Sequence, residues 1–89
     1  MLYQILLSEK AKDDLSKLDT LIAQRIAKKL KEYRASQKPM NYSKPLSGDL
    51  RGLYRFRVGN YRVIFQKTAN GKLVVLLVLR VKHRKDIYE

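Results

Sequence analysis

GLYRFRVGNYRVIF, residues 52–65, alternates large apolar side chains with arginines on either side of a Gly-Asn pair. Apolar residues at every second position mark a strand with one buried face. A Gly-Asn pair between two such runs marks a two-residue hairpin turn at Gly59-Asn60. The register then follows: Val58 opposes Tyr61, Arg57 opposes Arg62, Phe56 opposes Val63, Arg55 opposes Ile64, and Tyr54 opposes Phe65. One face carries Tyr54, Phe56, Val58, Tyr61, Val63 and Phe65, ready to be covered. The other carries Arg55, Arg57 and Arg62, two of them directly opposed. Like charges at opposed positions destabilise an antiparallel pair by ~0.2–1 kcal/mol. A solvated face whose long stems cover apolar surface is reason enough for one arginine. Three on one patch point instead to an anion site, because guanidinium forks match phosphate oxygens bidentately.

The flanking sequence places this hairpin in a larger sheet. Strand-like runs cover Leu53–Val58, Tyr61–Lys67 and Lys72–Val81, with Asn70-Gly71 marking the second reversal. LVVLLVL, residues 73–79, is apolar without alternation, as expected of a strand covered on both faces. Toward the N-terminus, Leu2 to Leu7 reads as a short strand and Ser8 as a helix N-cap. Ala11, Leu15 and Leu18 share one helical face. A second helix restarts at Asp19 or Thr20, with Ile22, Ala23, Ile26, Ala27, Leu30 and Tyr33 at helical spacing and Lys28, Lys29 and Lys31 largely opposite. So short a turn between helices implies an antiparallel helical hairpin. Ser36 to Ser47 reads as a connecting loop, since Pro39 and Pro45 argue against helix or central strand. The expected fold is α+β. It has an N-terminal strand, a helical hairpin, then a three-strand antiparallel meander, giving a twisted sheet of about four strands in a single domain, 1–89.

Composition narrows the function. With no cysteine there is neither a disulfide framework nor a thiolate metal site, and one histidine, His83, is too few for a zinc site. No metal or cofactor is expected. The N-terminus turns polar after Leu7, too soon for a signal peptide, and the longest apolar run is too short to span a membrane, so a cytoplasmic protein is expected. Twenty Lys and Arg against eight Asp and Glu give a net charge of +12, which favours a polyanion or an acidic protein as partner. Residues 1–44 carry ten bases and five acids, and residues 45–89 carry ten and three, so the strand-rich half is the more basic.

The tail extends the basic patch. After the apolar strand come Lys82, His83, Arg84, Lys85 and Tyr88. His83 is the side chain here that ordinarily titrates near neutrality. Tyr88 can stack on a base, or serve as acid or base. A solitary histidine in a basic tail is by itself an ordinary surface residue. Beside an arginine cluster and a tyrosine it becomes a candidate.

KPLSGDLRGLYRFRVGNYRVIFQ followed by VLRVKHRKDIYE resembles the RelE/ParE superfamily of bacterial and archaeal toxins, most of all its RelE-type branch. The likeness takes in essentially the whole chain; the hairpin and tail are specific, the helices generic. It implies a RelE-like microbial ribonuclease fold and the toxin of a type II toxin–antitoxin pair. It also implies a ribosome-dependent endoribonuclease, an mRNA interferase that cuts mRNA in the A site by 2′-hydroxyl attack on the adjacent phosphate. Carried over by motif, Arg62 and Arg84 would bind the scissile phosphate and stabilise its charge. Tyr88 would stack on a base at the cut. Arg55 and Arg57 stand where the family places basic residues on the first hairpin strand and, with Lys82 and Lys85, would hold RNA.

Some members carry lysines where this chain has Arg55 and Arg57, and a lysine has been cast as general base. Arginine keeps its proton too firmly for that role. That leaves His83 as the acid or base, or a reaction resting on positioning and electrostatics. The resemblance further implies a cognate, RelB-like antitoxin with an acidic or amphipathic segment, beside the ribosome and mRNA, and no membrane. Two rivals stand: a ParE-type inhibitor of DNA gyrase, and a nucleic-acid-binding module without catalysis. Chains of the first kind usually lack the combined arginine and tail-tyrosine set present here; the second is separated by whether His83, Arg84 and Tyr88 converge on Arg62 or splay into solvent.

Overall fold

The computed structural model describes residues 2–86. Its elements in chain order are β1 (Leu2–Leu7), α1 (Glu9–Ser16), α2 (Thr20–Ala35), β2 (Ser43–Pro45), β3 (Tyr54–Val58), β4 (Tyr61–Asn70) and β5 (Leu73–His83). The strands form one mixed sheet in the order β1-β5-β4-β3-β2. The β3–β4 hairpin has the register read from its sequence, from Val58 opposite Tyr61 to Tyr54 opposite Phe65. Gly59 supplies the positive φ, 59°, that the turn requires. β5 lies inside the sheet, antiparallel to β4 and parallel to β1, so the first and last strands are neighbours.

The helices cover one face. Ser8 caps α1, its Oγ accepting from Ala11 N at 3.1 Å, and Asp19 caps α2 by accepting from Leu21 N at 2.9 Å. α1 lies mainly against β5, and α2 against β1 and β3. Ala11, Ile26 and Leu30 bury against Phe56, Val58, Val63, Phe65, Val74, Leu76, Val78 and Val81. Phe56 is the hub, with the Phe65 ring 4.4 Å away on one side and the Tyr33 ring of α2 4.9 Å away. The alternate apolar positions of the hairpin therefore do build the core.

Three expectations need correction. The stretch read as a loop holds a 3₁₀ turn at Pro39–Tyr42 and then β2, which pairs with β3 through Ser43–Phe56, Lys44–Arg55 and Pro45–Tyr54. The sheet thus has five strands, not about four. Proline excludes a central strand, but β2 is an edge strand, where a missing N–H is tolerated. The second reversal falls one residue later than Asn70-Gly71, because Asn70 pairs with Leu73 and the turn is Gly71-Lys72. Finally, the apolar run of β5 is covered on one face only. Val74, Leu76 and Val78 are buried under the helices, while Leu73, with Leu2 and Leu6 of β1, stays 37%, 70% and 43% exposed. Among the described residues no helix is long and apolar enough to cross a membrane.

One irregularity positions the site. Phe65 pairs with Val78 but Ile64 pairs with Arg80, so Leu79 is an extra residue in β5, a β-bulge. Beyond it the faces exchange parity. Val81 and His83 follow Val78 on the helix side, opposite Val63 and Tyr61, and Lys82 stands on the side away from the helices, opposite Arg62.

Candidate functional site

On the face away from the helices, Arg57, Arg62 and Lys82 form one row across β3, β4 and β5. Neighbouring strands lie ~4.8 Å apart, so the three stems rise within ~10 Å of one another. In the next row Arg55 and Arg80 flank Ile64, which is buried, and Lys44 of β2 stands beyond Arg55. Arg62 is half-buried and its Nη1 atom is enclosed by protein. Among the described residues none of the five strands contains Asp or Glu, so no strand neighbour neutralises this face. Adjacent cations on a rigid sheet repel one another, and a phosphate bound between them relieves that repulsion while accepting several charge-assisted hydrogen bonds.

The predicted site residues are divided by this geometry. Arg57, Arg62 and Lys82 come together, with Arg55 one row away. His83 does not join them: it stands on the helix-covered face, its ring edge-on to Tyr61 at 5.2 Å. Its Nδ1 accepts from Lys85 N at 3.2 Å, which fixes the ring at the end of the strand. Arg84 N donates to Asn60 O at 2.7 Å, tying the tail to the hairpin tip, and the exposed 3₁₀ turn Arg84–Asp86 follows. Arg84 and Lys85 thus flank the row from its end. Tyr88 lies outside the described residues.

Two residues that the sequence reading passed over support this arrangement. Arg25 of α2 lies over the hairpin turn, its guanidinium 3.4 Å from where a side chain on Gly59 would begin. Asp14 of α1 is bound at the bulge. Arg80 donates to it through Nε at 2.8 Å and Nη2 at 3.0 Å, and Val81 N donates at 2.9 Å. The Arg80 hydrogen bonds hold the Asp14 carboxyl below the usual carboxylate range against the opposing effect of burial, and Asp14 in turn raises Arg80. The signal for the bulge was a phase change, with Val74, Leu76 and Val78 followed by Val81. The continuous apolar run conceals it.

Residues 5–88 match the family described as the ParE toxin of the type II toxin–antitoxin system parDE. Toxin RelG of Mycobacterium tuberculosis is 36% identical over 53 residues, a stretch that takes in 60% of this chain and 59% of that protein. Among solved structures, the toxin–antitoxin complex RelBE2 of M. tuberculosis contains a chain 30% identical to this one, with a TM-score of 0.70. That likeness covers 94% of this chain and all of the other. The RelB–RelE antitoxin–toxin complex of Methanococcus jannaschii is also 30% identical, with a TM-score of 0.63 over 93% of this chain and 94% of that one. A mutant of E. coli toxin RelE in the free state, 24% identical with a TM-score of 0.68 over 97% and 87% of the two chains, shares the fold. The fold is the one these toxin chains share. The chain belongs to the ParE toxin family, within the RelE/ParE superfamily.

Proposed function

We propose that this toxin is a ribosome-dependent endoribonuclease that cuts mRNA through 2′-hydroxyl attack on the neighbouring phosphate. The observation that carries the reading is the Arg57–Arg62–Lys82 row on the sheet face away from the helices, to which none of the described strands contributes an acid. As the 2′-hydroxyl gives up its proton to solvent and its oxygen adds to phosphorus, negative charge grows on the phosphoryl oxygens, and preorganised cations stabilise that state more than the ground state. Arg62, flanked on both sides, takes the central place. Arg57 and Lys82 reach the phosphate from either strand, and Arg55, Arg84 and Lys85 hold the adjoining backbone. In the row, Lys82 alone is of a type that can release a proton to the departing 5′-oxygen; arginines keep theirs. Tyr88 stacks on a base at the cut. His83, facing the helices, has no part in the proton transfer.

The partner that restrains this activity is an antitoxin with an acidic or amphipathic segment. Both of the 30%-identical solved relatives are toxin–antitoxin complexes, and the sheet face away from the helices offers exposed apolar Leu2, Leu6 and Leu73 beside the cationic rows. The ParE description of the matched family supports the second reading, inhibition of DNA gyrase. One experiment separates the two. Wild type and Arg62→Ala are added to a translation extract, mRNA ends are mapped by primer extension, and gyrase supercoiling is assayed in parallel. Cuts made by wild type and lost in the variant support the nuclease; intact mRNA with gyrase inhibited refutes it.

A further inference from the structure

β5 has two ways to continue beyond the Phe65–Val78 pair. In a regular ladder Leu79 would oppose Ile64, Arg80 would oppose Val63, Val81 would oppose Arg62, and Lys82 would oppose Tyr61. Val81 would then occupy the cationic row, and Lys82 would point at the helices. The bulge at Leu79 averts this and brings Lys82 opposite Arg62. Burial of Val81 opposite Val63, where a regular ladder would put Arg80, favours the bulged register from the β4 side.

The far edge of β5 ties the backbone there. β1 pairs with β5 only as far as Leu7–Val78, so the segment from Leu79 onward has no strand on that side. Ser8 and α1 take the strand's place. Ser8 N donates to Val78 O at 2.9 Å and Ser8 Oγ to Leu79 O at 3.0 Å. Asp14 then accepts from Val81 N and both Arg80 nitrogens. Arg80 is thereby drawn aside to the strand edge, and the backbone on both sides of Arg80 is pinned to the N-terminal helix.

We propose that Asp14 is a positioning residue of the cationic site: by clamping Arg80 and the Val81 N–H it fixes the bulge that sets Lys82 beside Arg62. Its consequence for cleavage rests on the nuclease reading; the register can be tested apart from it. In an Arg62→Cys/Lys82→Cys protein the two thiols face each other on paired strands and close into a disulfide under mild oxidation. An Arg57→Cys/Arg62→Cys protein, whose pairing does not involve β5, is the control. Adding Asp14→Asn or Asp14→Ala is expected to slow closure of the 62–82 pair several-fold and to leave the 57–62 pair unchanged. Deleting Leu79 gives a bulge-free ladder with the same faces, and there Asp14→Ala no longer slows closure. Unchanged 62–82 closure in the Asp14→Ala protein overturns the proposal, and so does equal slowing of both pairs. In the cleavage assay Asp14→Ala lowers kcat by up to about a hundredfold, the cost of a misplaced catalytic group, with KM little altered. A wild type that cuts no RNA would defeat the nuclease reading and leave the cross-linking result standing.

Discussion

Arg62 stands opposite Lys82, while His83, the next residue, stands opposite Tyr61 on the other side of the sheet. On the proposed nuclease reading, that one-residue difference gives the proton-donor role to Lys82 and not to His83. Lys82→Ala and Arg62→Ala should each lower single-turnover cleavage on programmed ribosomes by ~10²–10³, the range seen on removal of a donor that stabilises transition-state charge. His83→Gln should cut at close to the wild-type rate. A large loss in His83→Gln with Lys82→Ala unaffected would reverse the assignment.

The basic face also makes a prediction about binding. Each phosphate contact releases condensed counterions, so affinity for single-stranded RNA should fall steeply with salt. Arg55→Ala and Arg57→Ala should weaken binding to RNAs of different sequence alike. Each should reduce the slope of log K against log salt by ~0.7. A loss confined to one sequence, with the slope unchanged, would mean base readout instead.

The hairpin turn supplies a stability test. Gly59 has φ 59° and lies under the Arg25 guanidinium. Gly59→Ala should cost ~1 kcal/mol or more from the left-handed backbone alone. Phe56→Ala should cost ~3–5 kcal/mol, because its fully buried ring packs between Tyr33 and Phe65. Urea titration of both variants checks the order; a Gly59→Ala protein as stable as wild type would show that the turn relaxes.

How legible the molecule was depends on where its sequence alternates. The β3–β4 register could be read in full, because a Gly-Asn turn and strict alternation fix each other. β2 could not, since three residues ending in a proline carry no period. The bulge was hidden for a different reason: Leu73 to Leu79 is apolar at odd and even positions alike, so a change of phase leaves no trace. With it went the face of every residue from Arg80 on. The tail was therefore recognised as basic, but Lys82 and His83 could not be sorted. Asp14 gave no signal either, because only the end of β1 at Leu7 turns a helix carboxylate toward a strand edge.

The Asp14–Arg80 clamp predicts how stability responds to acid. Hydrogen bonds from Arg80, with a further one from Val81 N, hold the folded Asp14 carboxyl below its ordinary range. A group with a depressed folded pKa binds its proton more readily in the unfolded chain. Its contribution is therefore complete above the unfolded value, ~3.9, and is lost as pH falls toward and through the folded value. Between neutrality and about pH 5 the clamp should be indifferent to pH; below about pH 4 it should weaken progressively. Asp14→Asn removes the charge at every pH, so the variant should be less stable than wild type at pH 6. The gap should narrow as the solution is taken to pH 3, an interval chosen around the ~3.9 midpoint of a free carboxylate. Urea midpoints of the two proteins across that interval measure it. A gap that stays constant, or widens, in acid would mean that the ionised form of Asp14 contributes nothing to holding β5.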